Sequence, residues 1–262
     1  MPERSVAMIA DQRTAVIEHY NRHSGLMENQ PWFYDWILDA LARAGAPRDA
    51  AICDVGCGTG ALLARLRERG YTRLSGADFA PACVALAREH VAGARIFAHD
   101  IEQAPLPERY DVITLTTVID FVASPSAALA NLRASLKPGG TLLLSIRNRL
   151  AYWPWYHLRG LAGRIASPRL RHWFLWFTTP LGMRRSDQPY ERMYAPAEMR
   201  RLIQGAGLRV AGEYGYHCLP MLWIPELPRW IAVMRRVDAW SRALPGRRRY
   251  YSYVFACKEA GL

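Results

Sequence analysis

Lysine is almost missing from this chain: Lys137 and Lys258 are present, and arginine supplies the rest of the 34 basic residues. The net charge of +11 points toward anionic partners, but a skew so complete toward Arg reflects coding bias as much as function. Acids are missing from one long stretch, with no Asp or Glu between Asp120 and Asp187. The cysteines (Cys53, Cys57, Cys83, Cys218, Cys257) show no paired C-x-x-C spacing. That excludes a zinc-ribbon type of site and predicts reduced thiols. No run approaches the ~20 apolar residues that a membrane span requires. The nearest candidate, 216–234, is broken by Pro220, Pro225, Glu226, Pro228 and Arg229. Met1-Pro-Glu-Arg carries no apolar signal core, so a cytoplasmic protein is expected. Internal repeats and low-complexity linkers are absent as well, which predicts one domain over 1–262.

What is present is ample material for a core: 262 residues, of which 51% are hydrophobic, enough for a large α/β domain or a domain with an insertion. The organising stretch is Ala51-Ile-Cys-Asp-Val-Gly-Cys-Gly-Thr-Gly60. A buried strand runs into a turn with glycines at 56, 58 and 60, then into a helix from Ala61 to Arg69 stopped by Gly70. Leu62, Leu63 and Leu66 mark the inner face of that helix. A strand, a glycine turn and a helix N-terminus form a nucleotide site, because glycine lets a ligand touch backbone and the helix presents free N–H groups.

Around that stretch the pattern alternates. Two helices are expected over 11–44, separated by Asn21-Arg-His-Ser-Gly25. Strands are expected at 51–55, 74–77, 95–98, 111–116 and 141–146, with helices at 82–90 and 125–136 and a closing Lys137-Pro-Gly-Gly140. After an aromatic and Arg-rich segment, helix 196–205, strand 208–214 and a last strand over 250–257 complete the series. Alternation of this kind implies a parallel sheet with helices on both faces. The chain divides into N-terminal helices (1–50), a nucleotide core (51–146), a cap insertion (147–189) and a C-terminal part of the sheet (190–262).

Gly56-x-Gly58-x-x-Ala61 loosely fits a dinucleotide fingerprint, with Asp78 where a ribose-binding acid belongs. A nicotinamide site is one reading of that motif. Asp54 argues for another: a carboxylate before the glycines repels a pyrophosphate and suits an ammonium or sulfonium group. Asp100, in Ala98-His-Asp-Ile101, adds an acid able to accept from an adenine amino group. Asp111-Val-Ile-Thr-Leu-Thr-Thr-Val-Ile-Asp-Phe-Val122 and Leu136-Lys-Pro-Gly-Gly-Thr-Leu-Leu-Leu144 complete the order.

These motifs together resemble the class I S-adenosylmethionine-dependent methyltransferases, of the small-molecule type found in ubiquinone and natural-product biosynthesis. The resemblance covers 50–146 well and 190–214 less fully. It implies an α/β fold: a seven-stranded Rossmann-like sheet, mostly parallel with one antiparallel strand, plus a helical cap. It implies S-adenosyl-L-methionine as cofactor, with Gly56, Gly58 and Gly60 packing backbone against its methionine part and Asp54 holding its ammonium. Asp78 would bind the ribose hydroxyls, Phe79 would lie on the adenine, and Asp100 with the Ile101 N–H would take the adenine edge. Thr117 and Val118 would line the gap between cofactor and acceptor. His19 and Tyr20 could close over the cofactor. The chain departs from the quinone-type pattern, which commonly has an acid where Thr117 stands and a His where Phe121 stands, so neither a borrowed base nor a metal site is expected.

Methyl transfer needs positioning above all. Candidate general bases are His157, Tyr194 and His217, with His172 and Glu191 beside them. Thr116-Thr-Val-Ile-Asp120 holds neither the Asn/Asp-Pro-Pro-aromatic turn of base amino-methylation nor the Pro-Cys of C5-cytosine methylation. The expected acceptor is a hydrophobic small molecule methylated on O or N (quinone-, polyketide- or lipid-like), not nucleic acid. An RNA or protein acceptor, or a non-catalytic cofactor-binding regulator, is the alternative. The cap aromatics Trp153, Trp155, Trp173 and Trp176 lie amid Arg159, Arg164, Arg169 and Arg171. They read as a lid, as a peripheral contact with the inner membrane surface, or as a stacking platform for single strands. Oligomeric state is not readable.

Overall fold

The computed structural model describes residues 14–22, 31–150, 167–170, 192–216, 236 and 252–260. The helices are α1 (residues 14–22), α2 (Pro31–Arg43), α3 (Ala61–Glu68), α4 (Pro81–His90), α5 (Pro125–Ala134) and α6 (Pro196–Gly205). The strands are β1 (Ala51–Val55), β2 (Arg73–Asp78), β3 (Arg95–Ala98), β4 (Tyr110–Leu115), β5 (Leu136–Arg147), β6 (Leu208–Tyr216) and β7 (Ser252–Glu259). They form a seven-stranded sheet in the order β3-β2-β1-β4-β5-β7-β6. Neighbours from β3 to β5 pair in parallel, while β7 runs antiparallel to both β5 and β6. The expected sheet, with its single reversed strand, is the sheet observed.

Alternation along each strand builds a layer on either face. Cys53 and Val55 of β1, Leu142, Leu144 and Ile146 of β5, and Tyr253, Phe255 and Cys257 of β7 pack with Leu129 and Leu132 of α5 and Met199 and Ile203 of α6. Ile52, Leu143, Val254 and Ala256 face the other way, toward Trp36, Ile37 and Leu41 of α2, Leu63 and Leu66 of α3, and Val84 and Ala87 of α4. Helices α4, α5 and α6 each begin on a proline at the first turn, where a missing N–H leaves no bond unmade. Tyr216 stacks on Trp36 with centroids 5.0 Å apart and donates its hydroxyl to the Trp36 carbonyl at 3.1 Å. This ties the sheet's far edge to α2.

Most boundaries fall within two residues of expectation, and the start of β5 is the one that moves furthest. β5 starts at Leu136, not Thr141, because Leu136 pairs with Tyr110 before the chain makes an excursion through Lys137–Gly140 and resumes pairing at Thr141 opposite Val112. Helix α5 accordingly ends at Ala134. The segment read from sequence as a helix stop is a bulge in a strand. Its lysine reaches back to Asp111 Oδ2 at 2.8 Å.

The strand order reverses between β1 and β4, so the carboxyl ends of these strands flank a crevice where ligands bind in open α/β sheets. Among the described residues no helix is long and apolar enough to cross a membrane. Cys53, Cys57, Cys83 and Cys257 are buried free thiols. Most of the expected cap lies outside the described residues, including Trp153, Trp155, Trp173, Trp176, His157, His172 and Glu191, as does His217.

Candidate functional site

The glycine turn is anchored to the end of β2. The N–H groups of Gly56 and Cys57 donate to the Ala77 carbonyl at 2.7 and 3.1 Å. Gly56 has φ +70, and a Cβ built there would sit 2.2 Å from Val118 Cγ2. Position 56 therefore needs glycine twice over, for its backbone and for the β4 end that presses on it. Gly58 differs: its φ is +53, but a Cβ there would meet nothing within 4 Å. Space stands open over Gly58, as a ligand cradle requires. Gly60 closes the turn through its N–H to the Cys57 carbonyl at 2.8 Å and packs against Val91, just ahead of α3.

Two carboxylates flank the turn. Asp78, at the end of β2 and 6% exposed, is held by two backbone donors: Gly58 N–H to Oδ2 and Ala80 N–H to Oδ1, both 2.9 Å. These two bonds fix the carboxylate plane and tie it to the cradle itself. Burial pushes the Asp78 carboxyl up, and the backbone donors pull against that. Asp54, on β1 and 3% exposed, accepts from Thr114 Oγ1 at 2.6 Å. Its carboxyl is pushed up to about 7, mainly by burial, with the Thr114 bond opposing and the nearby charge of Asp78 adding to the rise. A carboxylate this deep, with no basic side chain among the described residues acting on it, suits a cationic ligand and resists a pyrophosphate.

The remaining residues of the expected cofactor set lie round the same crevice. Phe79 follows Asp78, half-buried. Asp100 lies two residues past β3, where its Oδ1 accepts from the Glu102 N–H at 2.9 Å, and buried Ile101 follows it. The Ile101 carbonyl accepts from Asn131 Nδ2 at 2.8 Å. Val118 covers Gly56. Thr117 is the one non-glycine described residue with positive φ, at +56. Its N–H donates to Ser145 Oγ of β5 at 2.8 Å, and its hydroxyl donates to the Thr116 carbonyl at 2.7 Å. A left-handed β-branched residue is strained, and the left-handed region costs an L-residue roughly 1–2 kcal/mol. Thr117→Gly is therefore expected to keep or raise the melting temperature, where Thr→Gly elsewhere lowers it; a drop of several degrees in thermal unfolding would show the position to be relaxed.

Tyr20 comes from outside the sheet. Its ring makes edge contacts with Phe79 at 6.1 Å and with Phe121 at 5.9 Å. It thus bridges aromatic residues that follow β2 and β4. Asn21 Oδ1 accepts from the Ala82 N–H at the start of α4, 3.2 Å away, which pins α1 across the site. His19, beside Tyr20, is buried.

Sequence reasoning placed the acids and glycines but missed their supports. Thr114, Ser145, Asn21 and Phe121 carried no local motif. Asp120 is buried in the 3₁₀ turn Ile119–Phe121 and accepts from Arg147 Nε at 2.8 Å. The start of α5 is capped by Glu102, whose carboxylate accepts from the N–H groups of Ala123 and Ser124 at 3.2 and 2.7 Å. Tyr194 is buried, at 0% accessibility in the main core cluster, with the Arg192 guanidinium over its ring. Among the described residues no group of three or more His, Cys, Asp or Glu side chains is placed to hold a metal ion.

The residues present fit S-adenosyl-L-methionine. Open space over Gly58, a buried acid at Asp54 that no basic side chain among the described residues acts on, and an oriented acid at Asp78 match a ligand with a cationic amino-acid end and a ribose. Comparison with known proteins agrees. The ubiquinone biosynthesis O-methyltransferase of Aeromonas salmonicida is 26% identical over 202 residues, 75% of this chain and 77% of that protein. The malonyl-[acyl-carrier protein] O-methyltransferase of Serratia marcescens is 38% identical over 95 residues, 36% of this chain and 37% of that one. The crystal structure of magnesium protoporphyrin IX methyltransferase from Synechocystis with bound SAH shares the fold at a TM-score of 0.53 and 18% identity, covering 87% of this chain and 82% of that one. A methyltransferase-domain family model matches residues 27–212. The chain belongs to that family and is a class I S-adenosylmethionine-dependent methyltransferase.

Proposed function

We propose that the protein methylates an oxygen of a hydrophobic small molecule of quinone-, polyketide- or lipid-like character. The observation that carries this reading is the aromatic bridge of Tyr20 between Phe79 and Phe121, which sets three apolar rings together beside the ends of β2 and β4. The relatives named for O-methylation support oxygen over nitrogen. The bound cofactor supplies an electrophilic methyl group on a sulfonium. The protein's part is positioning, which can contribute roughly 7–11 kcal/mol to such a transfer. The glycine turn would seat the methionine portion, Asp54 would hold the ammonium, and Asp78, oriented by Gly58 and Ala80, would accept from the ribose hydroxyls. Val118 and Thr117 form the β4 wall between donor and acceptor.

The test is transfer of a radiolabelled methyl group to a panel of lipophilic catechols, aliphatic alcohols and acyl carboxylates, against bulk RNA and a protein extract. The reading expects label in an organic extract as an alkali-stable ether or a labile ester. Label in RNA or protein would replace it with a macromolecular acceptor, and cofactor binding without transfer to anything would mark a regulatory protein. Asp78→Ala is expected to weaken cofactor affinity about 10–100-fold, since hydrogen bonds to a charged group contribute ~1.5–3 kcal/mol; unchanged affinity by calorimetry would refute its role.

A further inference from the structure

The register of β1 against β4 sets Asp54 beside Thr114, and the register of β1 against β2 sets it beside Gly76, which has no side chain to offer. Among the described residues, Thr114 Oγ1 is the hydrogen-bond donor that reaches the Asp54 carboxylate. Thr114 is wholly buried, so its hydroxyl has no solvent to turn to. Among the described residues, the charged and titratable groups facing this spot are few. Asp78 acts on Asp54 from the end of β2. Cys57 from the turn and Cys53 from β1 lie close enough to feel Asp54, but burial keeps both as neutral thiols. Cys83 from α4 lies near Asp78, and burial pushes its thiol up to about 12. Nothing in that set is a cation. The hydroxyl of Thr114 thus favours the ionised carboxylate, and burial and Asp78 oppose it.

We propose that Thr114 is a positioning residue for the cofactor, holding Asp54 as an aimed carboxylate, so that capture of the cofactor's cationic amino-acid end expels a proton from the site. The step balances. The O–H bond of the Asp54 carboxyl breaks, its proton goes to solvent, and the carboxylate pairs with the ligand ammonium. With the carboxyl at about 7, the ligand-free site is a mixture of both forms at neutral pH. A cation stabilises the ionised form, so the bound-state pKa falls. Affinity then rises as pH rises toward 7 and falls up to about tenfold per pH unit below it. The inference rests on the cofactor and not on the identity of the acceptor.

The experiment is calorimetric titration of the full chain with S-adenosylhomocysteine from about pH 5.5 to about pH 8, in paired buffers of different ionisation enthalpy. This probe keeps the ammonium and the adenosine, and its amino group, beside a free carboxylate, stays protonated across that window. The wild type is expected to release close to one proton per site below neutral pH and almost none at the alkaline end. Thr114→Val is expected to shift the whole affinity profile to higher pH and weaken binding about tenfold at neutrality, with Thr114→Ser restoring both. Asp54→Asn is expected to bind weakly with a flat profile and no proton release. Circular dichroism and melting curves check that each variant is folded. Absence of proton release by the wild type would overturn the proposal without help from any variant. So would a Thr114→Val profile weakened equally at every pH, which would make Thr114 merely structural. Failure of the cofactor assignment looks different: the wild type then binds the probe at no pH.

Discussion

Gly56→Ala is expected to lose cofactor binding altogether and to lower stability by about 2–5 kcal/mol. The estimate joins two costs: roughly 1–2 kcal/mol for an L-residue in the left-handed region and roughly 1–3 kcal/mol for overpacking. The second applies because the new methyl group would lie 2.2 Å from Val118 Cγ2. Either the turn or the end of β4 must move, and both line the crevice. Gly58→Ala makes the control. Its φ is also positive, but no atom lies within 4 Å of the added carbon. That variant is expected to keep most of its stability and to lose affinity, because its methyl group enters the space reserved for ligand. Adding Val118→Ala to Gly56→Ala is expected to return part of the stability. Thermal unfolding with calorimetry distinguishes these cases, and a Gly56→Ala protein melting within a degree of wild type would show the Val118 contact to be soft.

Arg147→Ala is expected to destabilise the protein by about 3 kcal/mol, the lower end of the ~3–5 kcal/mol range for breaking a buried ion pair. Asp120 is the partner left behind, at 0% side-chain exposure, while Arg147 is 25% exposed. Removing the arginine therefore takes the countercharge from a carboxylate with no route to water. Removing the aspartate leaves a cation that can still reach solvent, and Asp120→Ala is expected to cost less. The double variant is expected to be less damaged than the sum of the two. For a chain of this length the single loss corresponds to a melting temperature lower by roughly 6–12 °C. Arg147 also lies over the Phe121 ring, 5.4 Å from its centroid, so the change should loosen the aromatic wall and raise the KM for acceptor more than that for cofactor. Equal melting of the two single variants would contradict the burial argument.

The parts of the fold legible in the sequence were those written locally. Glycines at 56, 58 and 60, leucines at 62, 63 and 66, and prolines at the helix starts announce turn, helix face and first turn within a few residues of themselves. Asp54 and Asp78 were legible because strand ends beside a glycine turn are few. What stayed hidden depends on register between distant segments. Thr114 finds Asp54 only when β1 and β4 align residue to residue. Ser145 finds Thr117, and Arg147 finds Asp120, only when β5 lies beside β4. The early start of β5 was obscured because Pro138, Gly139 and Gly140 carry the composition of a turn while belonging to a strand that bulges. Tyr194 drew attention as a phenol near the acceptor side; its burial follows from a pairing no local pattern reveals.

That pairing has a wider consequence. Asn148 and Tyr194 form a parallel bridge, the Arg149 N–H donates to the Tyr194 carbonyl at 3.0 Å, and the Arg192 N–H donates to the Asp120 carbonyl at 2.7 Å. Glu198 sits between the side chains of Arg149 and Arg192, at 3.1 and 2.9 Å. The chain that leaves the sheet after Asn148 is thus fastened beside it again at Arg192 and Tyr194, so the two ends of the intervening stretch are held together. Lengthening a segment whose ends are already fastened adds only about 0.6 kcal/mol for each doubling. A change in the length of that stretch therefore asks nothing of the strand registers that place Asp54 and Asp78 beside the glycine turn.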